Sequence, residues 1–497
     1  MIARTWARLR GGPSHDYTAL PVNEKAPVQS SPQSRARLRH VGYVLLLAVA
    51  VLSLNTYRVA ASPILATRPS CDTVNHGYRC SPNISHFWGQ YSLWFAVPSD
   101  IDVAPPHGCE VTFANVLSRH GGRDPTLSKS MAYHALTAYI QSTATSYPGK
   151  YSFLQNYTFN LGADLLTDVG RQEMVNSGAH FSRRYGALLN KHIPFVRSGG
   201  QDRVVESAQK WLTGVAQSLN QTAREVDLII PEGSTYNNTL SHDTCPAFES
   251  GPSHGLGDRA QQVWLSEFVP AIQKRINTAL GVNISATSTI YLMDMCPFDT
   301  LADPSAKVSR FCHLFDENEW QAYDYYQTLG KFYGYSVGNP LGATQGAGYV
   351  NELIARLTET PVQDNTNTNR TLDASPATFP LDRKVYADFS HDNDISGVLA
   401  ALGLYNNTAP LSNTTVESTK QTHGYSAAWT VPFAARLYVE KLQCKDAYEE
   451  SVRIIVNDRV QPLEFCGGDK HGRCTLSNFI RSQNFSRDNG LWKRCHE

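Results

Sequence analysis

No Cys-x2-Cys pair occurs among the ten cysteines, which excludes the common structural zinc modules. No Lys-Ser/Thr follows the glycine-rich stretch 341–348, so it is not a nucleotide P-loop; it reads as a place of close packing before a helix over 349–357. No internal repeat is present, which excludes solenoids and propellers. An excess of one charge is missing too, since 44 Lys and Arg balance 44 Asp and Glu. The first forty residues hold seven of the bases and two of the acids, leaving 37 against 42 in the remainder. A mildly acidic body does not suit nucleic acid. Any positive field has to be confined to a site.

Long apolar runs are scarce as well. Only 41–54 is almost wholly apolar, short of the ~20 residues a spanning helix prefers, although Asn55, Thr56 and Tyr57 lengthen it at an interface. Residues 1–40 are polar and Pro/Ser-rich, and are expected to form a disordered cytoplasmic tail. Arg35, Arg37 and Arg39 favour a cytosolic N-terminus, and forty residues is a long lead for a signal peptide. We therefore expect 41–57 to be an uncleaved signal anchor rather than a cleaved signal peptide, with 58–70 as linker. The rest then enters the secretory pathway, as a type II membrane protein or, if cleaved, a secreted one. Two counts agree with export. All ten cysteines lie beyond the run, an even number that suits a disulfide set. So do nine Asn-x-Ser/Thr sequons, at Asn83, Asn156, Asn220, Asn237, Asn283, Asn369, Asn406, Asn413 and Asn484.

The chain is organised around Leu117-Ser-Arg-His-Gly-Gly-Arg-Asp-Pro-Thr126. Ahead of it, 111–117 reads as a buried strand, β-branched and apolar. Behind it, Thr126 or Ser128 can cap a helix with Met131, Ala135, Leu136, Tyr139 and Ile140 on one face. Arg119, His120 and Arg123 thus sit where a strand ends and a helix begins, with two glycines to let the backbone turn. Helix N-termini attract phosphate, and guanidiniums match its oxygens with paired donors. A histidine in that cage can attack phosphorus while the arginines stabilise the transition state.

Further along, 192–198 looks like another short strand. Asp202 then caps a helix whose Val205, Ala208, Trp211, Leu212 and Val215 face inward. Arg203 falls in its first turn, against the helix dipole, as either an anion ligand or an ordinary surface arginine. Arg197 is a weaker candidate of the same kind. Residues 262–280 and 317–333 read as helices, the second rich in tyrosine used for packing. Residues 358–376 read as a polar, exposed loop.

The junction recurs at Lys384-Val-Tyr-Ala-Asp-Phe389, a strand, followed by Ser390-His-Asp-Asn-Asp394 and a helix through Ile395, Val398, Leu399 and Leu402. If the two strands are neighbours, His391 and Asp392 meet His120 at one edge of a sheet. A carboxyl there can stay protonated and give its proton to a leaving oxygen, and His391 can donate to a phosphoryl oxygen. A His-Asp pair is also a metal signature in another phosphohydrolase class, but the further His and Asp ligands that class needs are missing.

Together, Arg119-His120-Gly-Gly-Arg123-Asp-Pro125 and His391-Asp392 resemble the histidine acid phosphatases, and within them the fungal phytases. The resemblance runs from about Cys71 to Cys495 and includes Leu161-Gly-Ala-Asp164, Tyr291-Leu-Met-Asp-Met-Cys296, Gly338-Asn-Pro-Leu341 and Trp429-Thr-Val-Pro-Phe433. It implies an α/β fold, a mixed sheet flanked by helices as in the phosphoglycerate mutases, with a smaller, mostly helical inserted domain. On that basis 71–210 and 335–497 are expected to form the catalytic domain and 211–334 the insert. It implies a 3-phytase acting as a monomer on phytate (myo-inositol hexakisphosphate), without metal or cofactor. His120 would form a phosphohistidine; Arg119, Arg123, Arg203 and His391 would hold the phosphate; Asp392 would protonate the leaving alkoxide. Asn393 and Lys307 would touch substrate. The implied cystines are Cys71–Cys80, Cys109–Cys444, Cys245–Cys495, Cys296–Cys312 and Cys466–Cys474.

Some positions depart from the phytase pattern. Ser130-Met131-Ala132 follows Lys129 where further lysines are usual, Asp124 replaces an aromatic residue and Asp394 a small one. Each change makes the pocket less positive. A broad acid phosphatase is therefore the rival enzyme reading. An inactive binding glycoprotein on the same scaffold is a third, against which the intact arginine, histidine and aspartate set argues.

Overall fold

The computed structural model describes residues 73–75, 80 and 83–497. The expected tail 1–40, anchor 41–57 and linker 58–70 lie outside the described residues, as does Cys71 and with it the expected Cys71–Cys80 pair. Among the described residues no helix is long and apolar enough to cross a membrane.

The frame is an eight-stranded mixed sheet: β1 (Cys109–Arg119), β2 (Phe195–Gly199), β3 (Leu228–Ile230), β4 (Val385–Ser390), β5 (Arg436–Cys444), β6 (Ser451–Val456), β7 (Arg459–Val460) and β8 (Arg473–Thr475). The spatial order is β3-β2-β4-β1-β5-β6-β7, with β8 beside β6. β3, β2, β4 and β1 run parallel, and β5 returns antiparallel to β1. Alternation builds two cores from one strand. Phe113 and Leu117 of β1 face one core, and Ala114 and Val116 face the other.

Helices cover both faces: α1 (Leu127–Thr143), α2 (Asp168–Leu189), α3 (Asp202–Ser218), α4 (Leu256–Leu280), α5 (Ala286–Ala302), α6 (Glu317–Tyr335), α7 (Ala347–Thr358) and α8 (Asp392–Ala401). Phe181 of α2 and Trp211 of α3 pack on the second face, while Leu353 of α7 and Val398 of α8 pack on the first. A third core joins Tyr133, Ile276, Met293 and Trp320 from α1, α4, α5 and α6. The glycine-rich stretch does permit close packing, since a Cβ on Gly346 would lie 2.5 Å from the carbonyl oxygen of Gly397 in α8.

Several expectations shift. The expected boundary at 210/211 falls inside α3, and Leu228–Ile230 belongs to the sheet rather than to a helical insert. The helical core also recruits α1, from outside the expected insert, and 68–497 is one compact unit. The buried face of α1 is Tyr133, Leu136, Thr137 and Ile140; Met131 is 65% exposed. The apolar residues of that helix lie on two sides, and the large tyrosine ring decides which side turns inward. Gln201, not Asp202, stands at the N-cap of α3. The loop over 358–376 is partly internal: Asn367 is fully buried and donates to the carbonyl oxygen of Asn238 at 3.3 Å, which offsets the cost of burying an amide.

Four disulfides match the expected pairs: Cys109–Cys444, Cys245–Cys495, Cys296–Cys312 and Cys466–Cys474. The first joins β1 to β5 at residues that face each other in the ladder.

Candidate active site

Strand register creates the site. In the parallel β1/β4 pair Arg119 lies beside Ser390, so the next residues, His120 and His391, leave the sheet side by side. Their ring centroids are 5.5 Å apart, edge to face. This is the carboxyl edge of parallel strands, where α/β sheets open a crevice. The two glycines after His120 serve close approach rather than a left-handed turn. A Cβ on Gly121 would lie 2.4 Å from the carbonyl oxygen of Gly170 in α2, and one on Gly122 2.6 Å from Leu301. The Gly122 N–H donates to Glu173 Oε2 at 3.0 Å, and Glu173 Oε1 accepts from Trp94 N–H at 2.7 Å. Burial pushes the Glu173 carboxyl up to about 7.

His120 is 1% exposed. Its Nδ1 lies 2.8 Å from the carbonyl oxygen of Gly121, which only accepts, so Nδ1 carries the proton and Nε2 keeps a lone pair. Burial, then Arg119, His391, Arg123 and Arg203, hold this imidazole well below its usual range. The result is a neutral imidazole with a free lone pair, surrounded by cations.

The three arginines are held differently. Arg119 is fully buried, with Nη1 donating to the carbonyl oxygens of Val431, at 2.7 Å, and of Gln90. Its guanidinium stands 4.5 Å above the Phe433 ring. Burial lowers it to about 10, with Asp392 opposing the change. Arg123 Nη1 donates to the carbonyl oxygen of Asp124 at 2.7 Å. Arg203, in the first turn of α3, is lowered by burial and then by Arg123. Each of the three keeps a buried nitrogen without a hydrogen-bond acceptor. Buried donors seldom go unpaired, and three in one cluster mark a place for an anion.

Asp392 opens α8 and meets two cations: its Oδ2 is 3.2 Å from Arg119 Nη2 and 2.8 Å from Lys331 Nζ. Burial works against ionisation, yet Arg119 and then Lys331 hold the carboxyl well below its usual range. The resting group is a carboxylate, not the protonated acid expected from sequence. Lys331 Nζ also donates to Asn393 Oδ1 at 2.6 Å. Lys331 escaped the sequence reading because it lies in the tyrosine-rich helix taken as packing.

Three further residues of the sequence reading have distinct surroundings. Lys307 is exposed on the loop after α5, and no hydrogen bond or ion pair among the described residues links it to the cluster. Arg197 is not a phosphate ligand. It is buried under the sheet edge, 2.8 Å from Asp388 and 2.6 Å from Glu352, because strand pairing places Asp388 beside it. Asp394 is 7% exposed, with Oδ2 3.1 Å from Ser390 Oγ, whose single proton already serves the carbonyl oxygen of Leu240 at 2.8 Å. Burial raises this carboxyl, with His242 and then His391 opposing the change. Glu232, from the loop after β3, was also missed; its carboxylate meets His391 Nε2 at 3.0 Å.

Residues 110–457 match the histidine phosphatase superfamily (branch 2). The chain is 50% identical to Phytase A of Emericella nidulans over 449 residues, covering 88% of this chain and 96% of the relative. It is 49% identical to Phytase A of Aspergillus fumigatus over 450 residues, with the same coverage of 88% and 96%. Among solved structures, the phytase from D. castellii shares the fold with a TM-score of 0.68 at 22% identity, over 83% of this chain and 88% of that one. A family match over most of the chain, joined to this level of identity, makes the chain a member of the histidine phosphatase superfamily, branch 2.

Proposed function

We propose that this chain is a phosphomonoesterase that hydrolyses phytate to lower inositol phosphates and phosphate through a phosphohistidine. One observation carries the reading: His120 presents an unprotonated Nε2 among three guanidiniums that each keep a buried nitrogen without an acceptor. The relatives named phytase supply the substrate class.

The phosphoryl oxygens take the free donors of Arg119, Arg123 and Arg203 and a proton of His391. Turning Arg119 toward phosphate releases part of its hold on Asp392, which then takes up a proton from acidic solvent. His120 Nε2 bonds phosphorus as the phosphorus–oxygen bond to the alcohol breaks, and the departing alkoxide takes the Asp392 proton. Water then gives a proton back to Asp392 as its oxygen attacks phosphorus, which frees His120 and releases phosphate. Lys331 and Asn393 line the Asp392 side, where a substrate's further phosphates would lie.

The test is phosphate release on phytate and on an aryl phosphate, with alkaline quenching and mass measurement of the peptide that holds His120. An added phosphoryl group on that peptide supports the mechanism, and its absence during turnover ends it. The broad-phosphatase reading rests on Lys129, whose ammonium is neutralised by Asp294 at 2.9 Å. Equal kcat/KM on the two esters would favour it.

The same proposal includes a secretory route. Four disulfides and nine sequon asparagines support it, seven of the nine exposed and Asn369 and Asn413 half-exposed. The 41–57 run would act as the anchor. Protein that stays with membranes in a carbonate wash and shrinks on deglycosylation agrees; soluble protein beginning near 61–67 replaces the anchor by a cleaved signal.

A further inference from the structure

A site that gathers cations for an anion has no obvious use for a second carboxylate. Yet Glu232 is built into its wall, with a side chain only 8% exposed. Its Oε1 and Oε2 lie 3.1 and 3.0 Å from Nε2 of His391. The Gln201 N–H at the N-cap of α3 donates to Oε1 at 3.2 Å. Gly199, at the end of β2, leaves the room: a Cβ there would stand 2.4 Å from Oε1. The carboxylate is thus fixed from the end of β2, from the start of the helix that carries Arg203, and from its own loop after β3. So elaborate a seat for a charge that repels phosphate needs a return elsewhere, and its partner is His391.

Protons define that return. A carboxylate only accepts, so the imidazole nitrogen facing it, Nε2, is the one that carries hydrogen. Nδ1 is then the ring atom left for substrate. To donate there as well, the ring must hold both protons. The titratable and charged groups of the surrounding elements are His120 and Arg119 beyond β1, Asp392 and Asp394 on α8, Arg203 on α3, His242 beside Asp394, and Glu232 itself. Of these, Glu232 makes the recorded hydrogen bond to the ring.

We propose that Glu232 is the positioning residue of the second histidine: it takes the Nε2 proton, fixes the ring, and reserves Nδ1 to donate to the transferred phosphoryl group. This rests on the phosphatase reading of the site. Glu232→Gln keeps the shape and removes the charge, and Glu232→Asp keeps the charge on a shorter arm. The competitive inhibition constant for inorganic phosphate is expected to rise about tenfold in Glu232→Gln, with partial recovery in Glu232→Asp. A folded Glu232→Gln protein with an unchanged phosphate constant overturns the proposal. Nitrogen NMR of the wild-type imidazoles decides it without any variant: a His391 Nε2 that carries no proton also overturns it. Full turnover by His391→Ala would instead remove the phosphatase role of His391, a separate failure.

Discussion

Arg119 and Asp392 are counter-ions across two strand-to-helix junctions, with Nη2 of the arginine 3.2 Å from Oδ2 of the aspartate. In the proposed mechanism each belongs to a different task, one to holding phosphate and one to protonating the leaving group. Their pairing keeps the acid ionised until an anion competes for the arginine. Phosphate binding and proton uptake by Asp392 are thereby coupled.

Asp392→Asn separates those tasks. Phytate leaves as a poor alkoxide and needs the proton, so kcat on phytate should fall by about 100-fold or more. An aryl phosphate leaves as a phenolate, and its loss should stay under about tenfold. Steady-state rates on both esters check this, and equal losses would remove Asp392 from the proton-donor role.

His120→Ala should reduce turnover on every ester by at least about 10⁴-fold, because no other group replaces the bond to phosphorus. Burial, and then Arg119 and the other cations, keep the folded imidazole neutral below its usual range. The unfolded chain takes up a proton below about pH 6.5 while the folded chain does not, so His120 costs stability as pH falls. The melting temperature of His120→Ala relative to wild type should therefore be more favourable at pH 5 than at pH 8. An imidazole that titrates near 6.5 by NMR would contradict this.

Arg203→Ala and Lys307→Ala should differ. Arg203 keeps a buried nitrogen without an acceptor beside the site, so its loss should raise KM about tenfold on both phytate and aryl phosphate. Lys307 makes no hydrogen bond or ion pair to the cluster among the described residues, and its variant should stay within about twofold of wild type. A large effect of Lys307→Ala on phytate alone would show that it reaches the outer phosphates of bound substrate.

Asp388→Asn should act on stability. Asp388 is fully buried between Arg197 at 2.8 Å and Arg356 at 2.5 Å. Removing its charge leaves the buried Arg356 without its ion-pair partner and Arg197 with Glu352 alone, a loss of about 3–5 kcal/mol. Burial opposes ionisation, but Arg197 and Arg356 hold the carboxyl well below the usual range. Its contribution is present above the unfolded value near 3.8 and disappears only as pH falls through the lower folded value. Denaturant unfolding at pH 6 gives the magnitude. KM of the folded variant should not change.

The residues alone determine both junctions at which the site is built. Val111–Leu117 and Val385–Phe389 carry β-branched and aromatic side chains, and each is followed by polar punctuation and a helical repeat. Those signals are local, since strand and helix preferences depend on neighbours a few positions away. The cation cluster at Arg119, His120 and Arg123 is local as well, and was legible for that reason. What the tertiary structure decided is non-local. The pairing of Arg119 with Ser390 requires β4 to lie beside β1, and no pattern within either strand names its partner. Lys331 was hidden in a helix read as packing, and it reaches Asp392 only because α6 lies against α8. Glu232 follows a three-residue strand with no motif around it, and it matters through His391. Arg197 was misread for the converse reason: in isolation a strand-end arginine looks like an anion ligand, until the sheet places Asp388 beside it. Asp394 shows the same limit, because the burial that raises its carboxyl is not visible in residue type. Sequence spacing specifies which groups an element carries, while charge state and partnership depend on desolvation and on distances that exist only once the elements have packed.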